Sequence, residues 1–277
     1  MDRIAIVTDS TADLEPGDAG RWSITIVPAV LTIAGRTFRD GAEIVRSDFY
    51  RRLPELRPVP TTAAPSPAVF SEAFEGALAA GAGRVLSLHT STHFSSLFEI
   101  ARQAAADFEG KVSVFDSQQT SMGLGFQVLA AAEAAEQGAP LDQVIEAARH
   151  AREKVRLVAM VDTLRYLRRS GRVGWLRAEV GELLHMRLVV EVRNGLVERI
   201  AQERTRGRAR RAMMARVSSW GRLAAAAALH TSAGQEAEDL AGDLAAACEI
   251  RPRIVEATTI IGTHVGPNAL GVAALLP

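Results

Sequence analysis

Short β-branched runs alternate with amphipathic stretches through the first half of the chain. Ile4 to Val7, Ile24 to Ile33, Arg84 to Leu88 and Lys111 to Phe115 read as strands, and the segments between them carry apolar residues at helical spacing. Strands separated by helix-length segments need crossover connections, so this pattern predicts a mostly parallel sheet with helices on both faces. Helix starts are marked by Ser47 ahead of Asp48-Phe49-Tyr50, by Ser66 with Pro67 in the first helical position, and by the capping box Ser96-Leu97-Phe98-Glu99.

The pattern changes in the second half. Leu188 to Val192 and Leu196 to Ile200 flank Arg193-Asn194-Gly195, a hairpin signal that belongs to antiparallel pairing. A basic helix from about Gly207 to Trp220, a strand from Leu223 to Leu229, a helix from Gln235 to Cys248 and a strand from Pro252 to Ala257 follow. The expectation is an α/β protein of two domains: residues 1–157 around the parallel sheet, and residues 158–277 as a second, smaller α/β domain containing the hairpin.

Composition narrows the function classes. With 277 residues, 48% of them hydrophobic, the chain can bury a large core. No apolar run reaches the roughly 18 residues that span a bilayer. The N-terminus passes directly from Asp2-Arg3 through Ile4-Ala5-Ile6-Val7 to the polar Thr8-Asp9-Ser10, which is not the pattern of a secretory leader and implies a cytoplasmic protein. Lys plus Arg and Asp plus Glu balance at 32 each, so the chain lacks the basic excess of a phosphate-backbone binder and nucleic acid is disfavoured. The single Cys248 cannot close an internal disulfide and reads as a buried small apolar residue.

Three candidate chemistries carry less than they first suggest. Gly123-Leu124-Gly125 lacks the third glycine of a dinucleotide fingerprint, with Val128 in its place, and reads as close backbone packing. His89 and His93 have the spacing of paired metal ligands on a helix, but Thr90-Ser91-Thr92 between them makes a loop. Ser95 and Ser96 lie at a strand-to-helix turn without a Gly-x-Ser-x-Gly elbow, which leaves open a serine hydrolase or acyltransferase using Ser95 with a histidine such as His264.

Hydroxyl-rich loops recur at strand ends or before helices: Thr8-Asp9-Ser10-Thr11, Pro60-Thr61-Thr62, and Thr90 to Ser96. In an open parallel sheet that edge is where ligands sit, and hydroxyls beside free backbone N–H groups suit a carboxylate or phosphate oxygen. Taken singly, each such Ser or Thr is equally a helix cap or turn residue.

Five stretches, in order, give the chain a resemblance to the DegV family over nearly its full length. They are Ile6 to Leu14 around Thr8-Asp9-Ser10; Phe38-Arg39-Asp40-Gly41 followed by Phe49-Tyr50; Pro60-Thr61-Thr62-Ala63-Ala64-Pro65-Ser66; Leu164 to Val173; and Ile261-Gly262-Thr263-His264-Val265-Gly266-Pro267. The resemblance implies a two-domain protein that holds a long-chain fatty acid in a buried tunnel, with the second domain closing over it, and presents the carboxyl group to a separate fatty acid kinase subunit. It implies Thr61, Thr62 and Ser95 as carboxyl-binding hydroxyls, His264 as a supporting polar group and Arg172 as a headgroup or partner contact. Asp9, Ser96 and Asn268 are further supporting or partner candidates. The chain departs from the family pattern at Ser96 and Leu97, where Gly and Thr are expected, and at Ser170 and Asn268, each in place of a glycine.

Such a site needs no metal, cofactor or nucleophile. Hydroxyls can bond either protonation state of a carboxyl group, and about fifteen buried methylenes at roughly 0.8 kcal/mol each supply on the order of 12 kcal/mol before ordering costs. The expectation is therefore a carrier and not an enzyme. A separate reading treats the six arginines between Arg204 and Arg216 as a partner-binding face.

Overall fold

The computed structural model describes residues 3–174, 186–248 and 250–277. The first half contains β1 (Ile4–Asp9), α1 (Pro16–Arg21), β2 (Thr25–Val27), β3 (Val30–Ile33), β4 (Arg36–Arg39), α2 (Arg46–Arg52), β5 (Thr61–Ala63), α3 (Pro67–Ala79), β6 (Arg84–His89), α4 (Leu97–Ala105), β7 (Val112–Asp116), α5 (Met122–Glu136) and α6 (Leu141–Lys154). The second contains β8 (Val155–Val161), α7 (Leu164–Ser170), β9 (Arg187–Arg193), β10 (Leu196–Glu203), α8 (Arg206–Ser218), β11 (Ala225–His230), α9 (Gly234–Cys248), β12 (Arg253–Glu256), α10 (Thr259–Val265) and β13 (Leu270–Leu275). No helix among the described residues is long and apolar enough to cross a membrane.

The chain forms two compact units, Met1–Val30 with Ala63–Lys154, and Leu31–Thr62 with Val155–Pro277. This division differs from a single break near residue 157, because residues 31–62 join the second unit. Long-range polar contacts explain the difference. The Tyr50 hydroxyl lies 2.8 and 3.0 Å from the carbonyl oxygens of Ala257 and Thr258, and the buried Asp40 carboxylate accepts from the Thr259 hydroxyl at 2.6 Å. The second unit, expected to be the smaller, also has the wider sheet, six strands against four, all six drawn from residues after 154.

In the first unit the strands run in the order β2-β1-β6-β7, all parallel. Two helix pairs flank them: α3 packs on α4, and α5 on α6. A parallel sheet covered on both faces needs strands that are apolar on both sides, and Val7, Val85 and Leu88 are fully buried. Phe70 and Phe74 from α3, and Met122, Leu124 and Val128 from α5, complete the core. Register pairs Thr8 with Leu88 and His89 with Asp116, so β1, β6 and β7 end together and their following loops emerge on one edge.

Several local details depart from the expected elements. Ile24 to Ile33 breaks at Pro28 into β2 and β3, which join different sheets; proline has no N–H for a ladder. The α2 helix begins at Arg46, one residue before Ser47. Ser96 makes no side-chain cap on α4; the Ser95 hydroxyl oxygen instead accepts the Leu97 N–H at 3.3 Å. Gly123 and Gly125 open α5; a Cβ on Gly125 would sit 2.7 Å from the Ala12 carbonyl oxygen, so Gly125 lets the helix start lie against the loop after β1, while one on Gly123 would sit 2.7 Å from Oε1 of Gln119.

The second unit holds a mixed sheet in the order β10-β9-β8-β13-β11-β12, antiparallel except for the β11–β12 pair. The β9–β10 hairpin turns on Asn194 (φ 49°) and Gly195 (φ 78°), where the turn requires positive φ. Alternation along the strands separates two apolar clusters. Val158, Met160 and Val189 pack with α8 and α9, whereas Val161, Leu188 and Val190 pack with Leu164 and Leu167 of α7. Half of the arginine-rich stretch is held by acidic partners: Arg206 by Glu236 at 2.7 Å, Arg210 by Asp243 at 2.5 Å, and Arg216 by the buried Glu191 at 2.8 Å. A smaller sheet, β4-β3-β5, carries Thr61 and Thr62.

Candidate functional site

Three of the sequence motifs meet around one short helix, α10, which carries His264. At its start, Asp40 accepts hydrogen bonds from the N–H and hydroxyl of Thr259, and Tyr50 holds the two preceding carbonyls. Close approach explains the glycines: a Cβ on Gly262 would run into the Tyr50 ring, and one on Gly266 into the Tyr166 ring. Gly266 also takes φ +82° as it ends the helix. Asn268, which stands in place of a glycine, takes φ +61°, a left-handed conformation that asparagine tolerates better than most residues.

Thr62 and His264 come together, with the hydroxyl 2.8 Å from Nε2 of the imidazole. Thr62 is extended in β5, where two β-branched threonines lie between Pro60 and Pro65. Burial, and secondly the positive charge of Arg172, hold the His264 pKa down to about 4, so the ring is neutral near pH 7. A neutral imidazole that donates Nε2–H to Thr62 leaves the threonine hydroxyl proton free for a ligand oxygen.

Arg172 follows α7, whose end is set by Gly171 at φ +68°. Ser170, the other departure from a glycine, secures this turn: its hydroxyl donates to the Leu167 carbonyl at 2.7 Å and accepts the Arg172 N–H at 3.2 Å. Arg172 itself is exposed, and Thr61 is exposed at the start of β5. Asn268 is exposed, with its carbonyl held by Arg206 at 2.7 Å.

Asp9, Ser95 and Ser96 belong to the first unit. Asp9 is fully buried, and its carboxylate accepts from the Thr11 N–H and hydroxyl, from His89 Nδ1 at 3.0 Å and from the Thr90 N–H at 3.1 Å. It therefore ties the loop after β1 to the loop that leads to Ser95. His89 completes a buried chain through Nε2 to the Ser87 hydroxyl at 2.7 Å. The order Ser, His, Asp is that of a hydrolase triad, but Ser87 is fully buried within the strand β6 and cannot meet a substrate. His89 thus spends both ring nitrogens on protein partners, and His93 is exposed. Ser95 is half-buried and Ser96 exposed.

Two elements of these arrangements escaped the sequence reading. The spacing of His89 with His93 points to a metal, whereas its alternation with Ser87 on one strand face is the signal that matches the observed contact. The loop after β7 carries no local motif, yet Ser121 there takes φ +51° and donates to the buried Asp13 at 2.5 Å.

These features define a two-unit α/β protein whose candidate site is built from hydroxyl, imidazole and guanidinium groups. The DegV family model matches residues 3–276, and the chain belongs to that family. It is 34% identical over 279 residues to a DegV domain-containing protein of Streptomyces coelicolor, covering 97% of each chain. It is similar to the solved structure of a DegV family protein from Thermus thermophilus, described as fatty acid binding, with 32% identity, a TM-score of 0.92 and coverage of 99% of this chain and 100% of that one. It is likewise similar to DegV of Bacillus subtilis, described as a fatty acid binding protein, with 27% identity, a TM-score of 0.89 and full coverage of both chains.

Proposed function

We propose that this protein binds a long-chain fatty acid in a buried tunnel and presents its carboxyl group to a partner, a fatty acid kinase subunit, without performing chemistry itself. The 2.8 Å contact between Thr62 and a neutral His264 carries the reading, because it supplies a hydrogen-bond donor for a carboxyl oxygen without burying an unpaired charge. The fatty acid binding described for the related proteins of Thermus thermophilus and Bacillus subtilis supports it. In this reading Thr61 and Ser95 are further hydroxyl donors, Arg172 offers a cation to the headgroup or its phosphorylated product, and Asp9, Ser96 and Asn268 support the loops. Tail burial supplies the affinity and the polar groups orient the carboxyl.

Titration with a fluorescent-tailed fatty acid tests the site. Thr62→Val and His264→Ala should each weaken binding about tenfold, the loss of roughly one hydrogen bond to a charged group, and Thr61→Ala with Ser95→Ala should act likewise. Wild-type affinity in every variant would remove the headgroup assignment.

A further inference from the structure

The turn that follows His264 is held at five backbone points by Thr231 and Arg206, which lie outside the family motifs. Thr231, buried just beyond β11, supplies four of them. Its hydroxyl donates to the Gly266 carbonyl at 2.8 Å and accepts the Ala269 N–H at 2.8 Å, its own carbonyl accepts the Asn268 N–H at 2.6 Å, and its N–H donates to the Ala269 carbonyl at 3.1 Å. The hydroxyl is thereby used both as donor and as acceptor. Arg206 supplies the fifth, donating from Nη1 to the Asn268 carbonyl at 2.7 Å.

Arg206 is itself fixed. Its Nε lies 2.7 Å from Glu236, and its Nη1 lies 3.3 Å from Asp162, whose carboxylate also holds Arg187 at 2.7 Å. The turn needs such holding because two of its residues, Gly266 and Asn268, take positive φ. The helix α10 has only seven residues, too few to keep its own geometry without anchors at both ends. Asp40 and Tyr50 anchor the start; Thr231 and Arg206 anchor the end, two residues beyond the imidazole.

We infer that Thr231, seconded by Arg206, is a positioning residue that sets the place of the His264 imidazole against Thr62. The inference rests on the headgroup reading for its functional consequence, but the placement of the ring can be observed separately. Displacing the ring would loosen the 2.8 Å contact with Thr62 and admit water to the imidazole.

The experiment compares Thr231→Val, which keeps the shape and removes the hydroxyl, with Thr231→Ser, which restores it. Affinity for a fluorescent-tailed fatty acid and the NMR titration of the His264 ring are read in both. Thr231→Val should weaken binding several-fold, by less than His264→Ala, and move the ring's titration up toward the ordinary histidine range; Thr231→Ser should return both toward wild type. An unchanged ring titration in folded Thr231→Val overturns the inference, as does failure of Thr231→Ser to rescue. If Thr231→Val does not fold, Arg206→Gln decides: the same upward movement, smaller, supports positioning, and a wild-type titration overturns it. His264→Ala serves as the control for the headgroup reading. Unchanged affinity in that variant would defeat the reading, while the ring titration still decides the placement.

Discussion

Replacing His264 by glutamine should make the protein's stability less sensitive to acid. In the folded state the imidazole is held down to about 4 by burial and by Arg172, against an ordinary value of 6.5. Between those two values the unfolded chain takes up a proton that the folded chain refuses, so stability falls as the pH is lowered through this window. Above it the contribution is complete; below about 4 both states are protonated and nothing more is lost. A depression of roughly 2.5 units corresponds to about 3 kcal/mol across the whole window, of which about 2 kcal/mol is lost between about pH 7 and pH 5. Glutamine keeps a hydrogen-bonding side chain near Thr62 but does not titrate. Denaturant unfolding of wild type and His264→Gln at both pH values isolates the effect, since the remaining titrating groups are common to both. Wild type should lose about 2 kcal/mol more than the variant. A difference below about 0.5 kcal/mol, or an NMR titration of the ring near 6.5, would refute the argument.

Loading the protein with fatty acid should raise the His264 pKa, because a carboxylate beside the ring favours its charged form; histidine NMR of empty and loaded protein would show no movement if the headgroup lies elsewhere. Arg216→Met should cost about 3 kcal/mol in denaturant unfolding by stranding the buried carboxylate of Glu191, and a loss below about 1 kcal/mol would mean Glu191 finds water or another donor. Gly125→Ala should destabilise by about 1–3 kcal/mol through the approach of its Cβ to the Ala12 carbonyl, and a neutral result in thermal unfolding would show that α5 can shift away. Ser95 should not react with a fluorophosphonate probe; labelling at that residue would favour the hydrolase alternative over a carrier.

Sequence periodicity carried the strands and helices of the first unit and the Asn194-Gly195 hairpin because alternation and turn chemistry depend on neighbours along the chain, whereas the pairing of β1 with β6 joins residues eighty positions apart. The motifs marked His264, Asp40 and Tyr50, but not why they belong together. That reason is a set of contacts across roughly two hundred residues, from Tyr50 to Ala257 and from Asp40 to Thr259, which local patterns do not encode. The same contacts moved residues 31–62 out of the first unit. Thr231 was illegible for another reason: one threonine after a strand reads as an ordinary turn residue until its three backbone partners are seen. The arginine run shows the converse. Its charges suggested a partner surface, yet Arg206, Arg210 and Arg216 are engaged by Glu236, Asp243 and Glu191.

Native mass spectrometry of the purified protein, followed by denaturing extraction and identification of what is released, tests the central claim most directly. The account predicts a near-stoichiometric fatty acid, retained through purification by its buried tail and exchangeable for an added one. A protein that is empty and also fails to take up added fatty acids would contradict it.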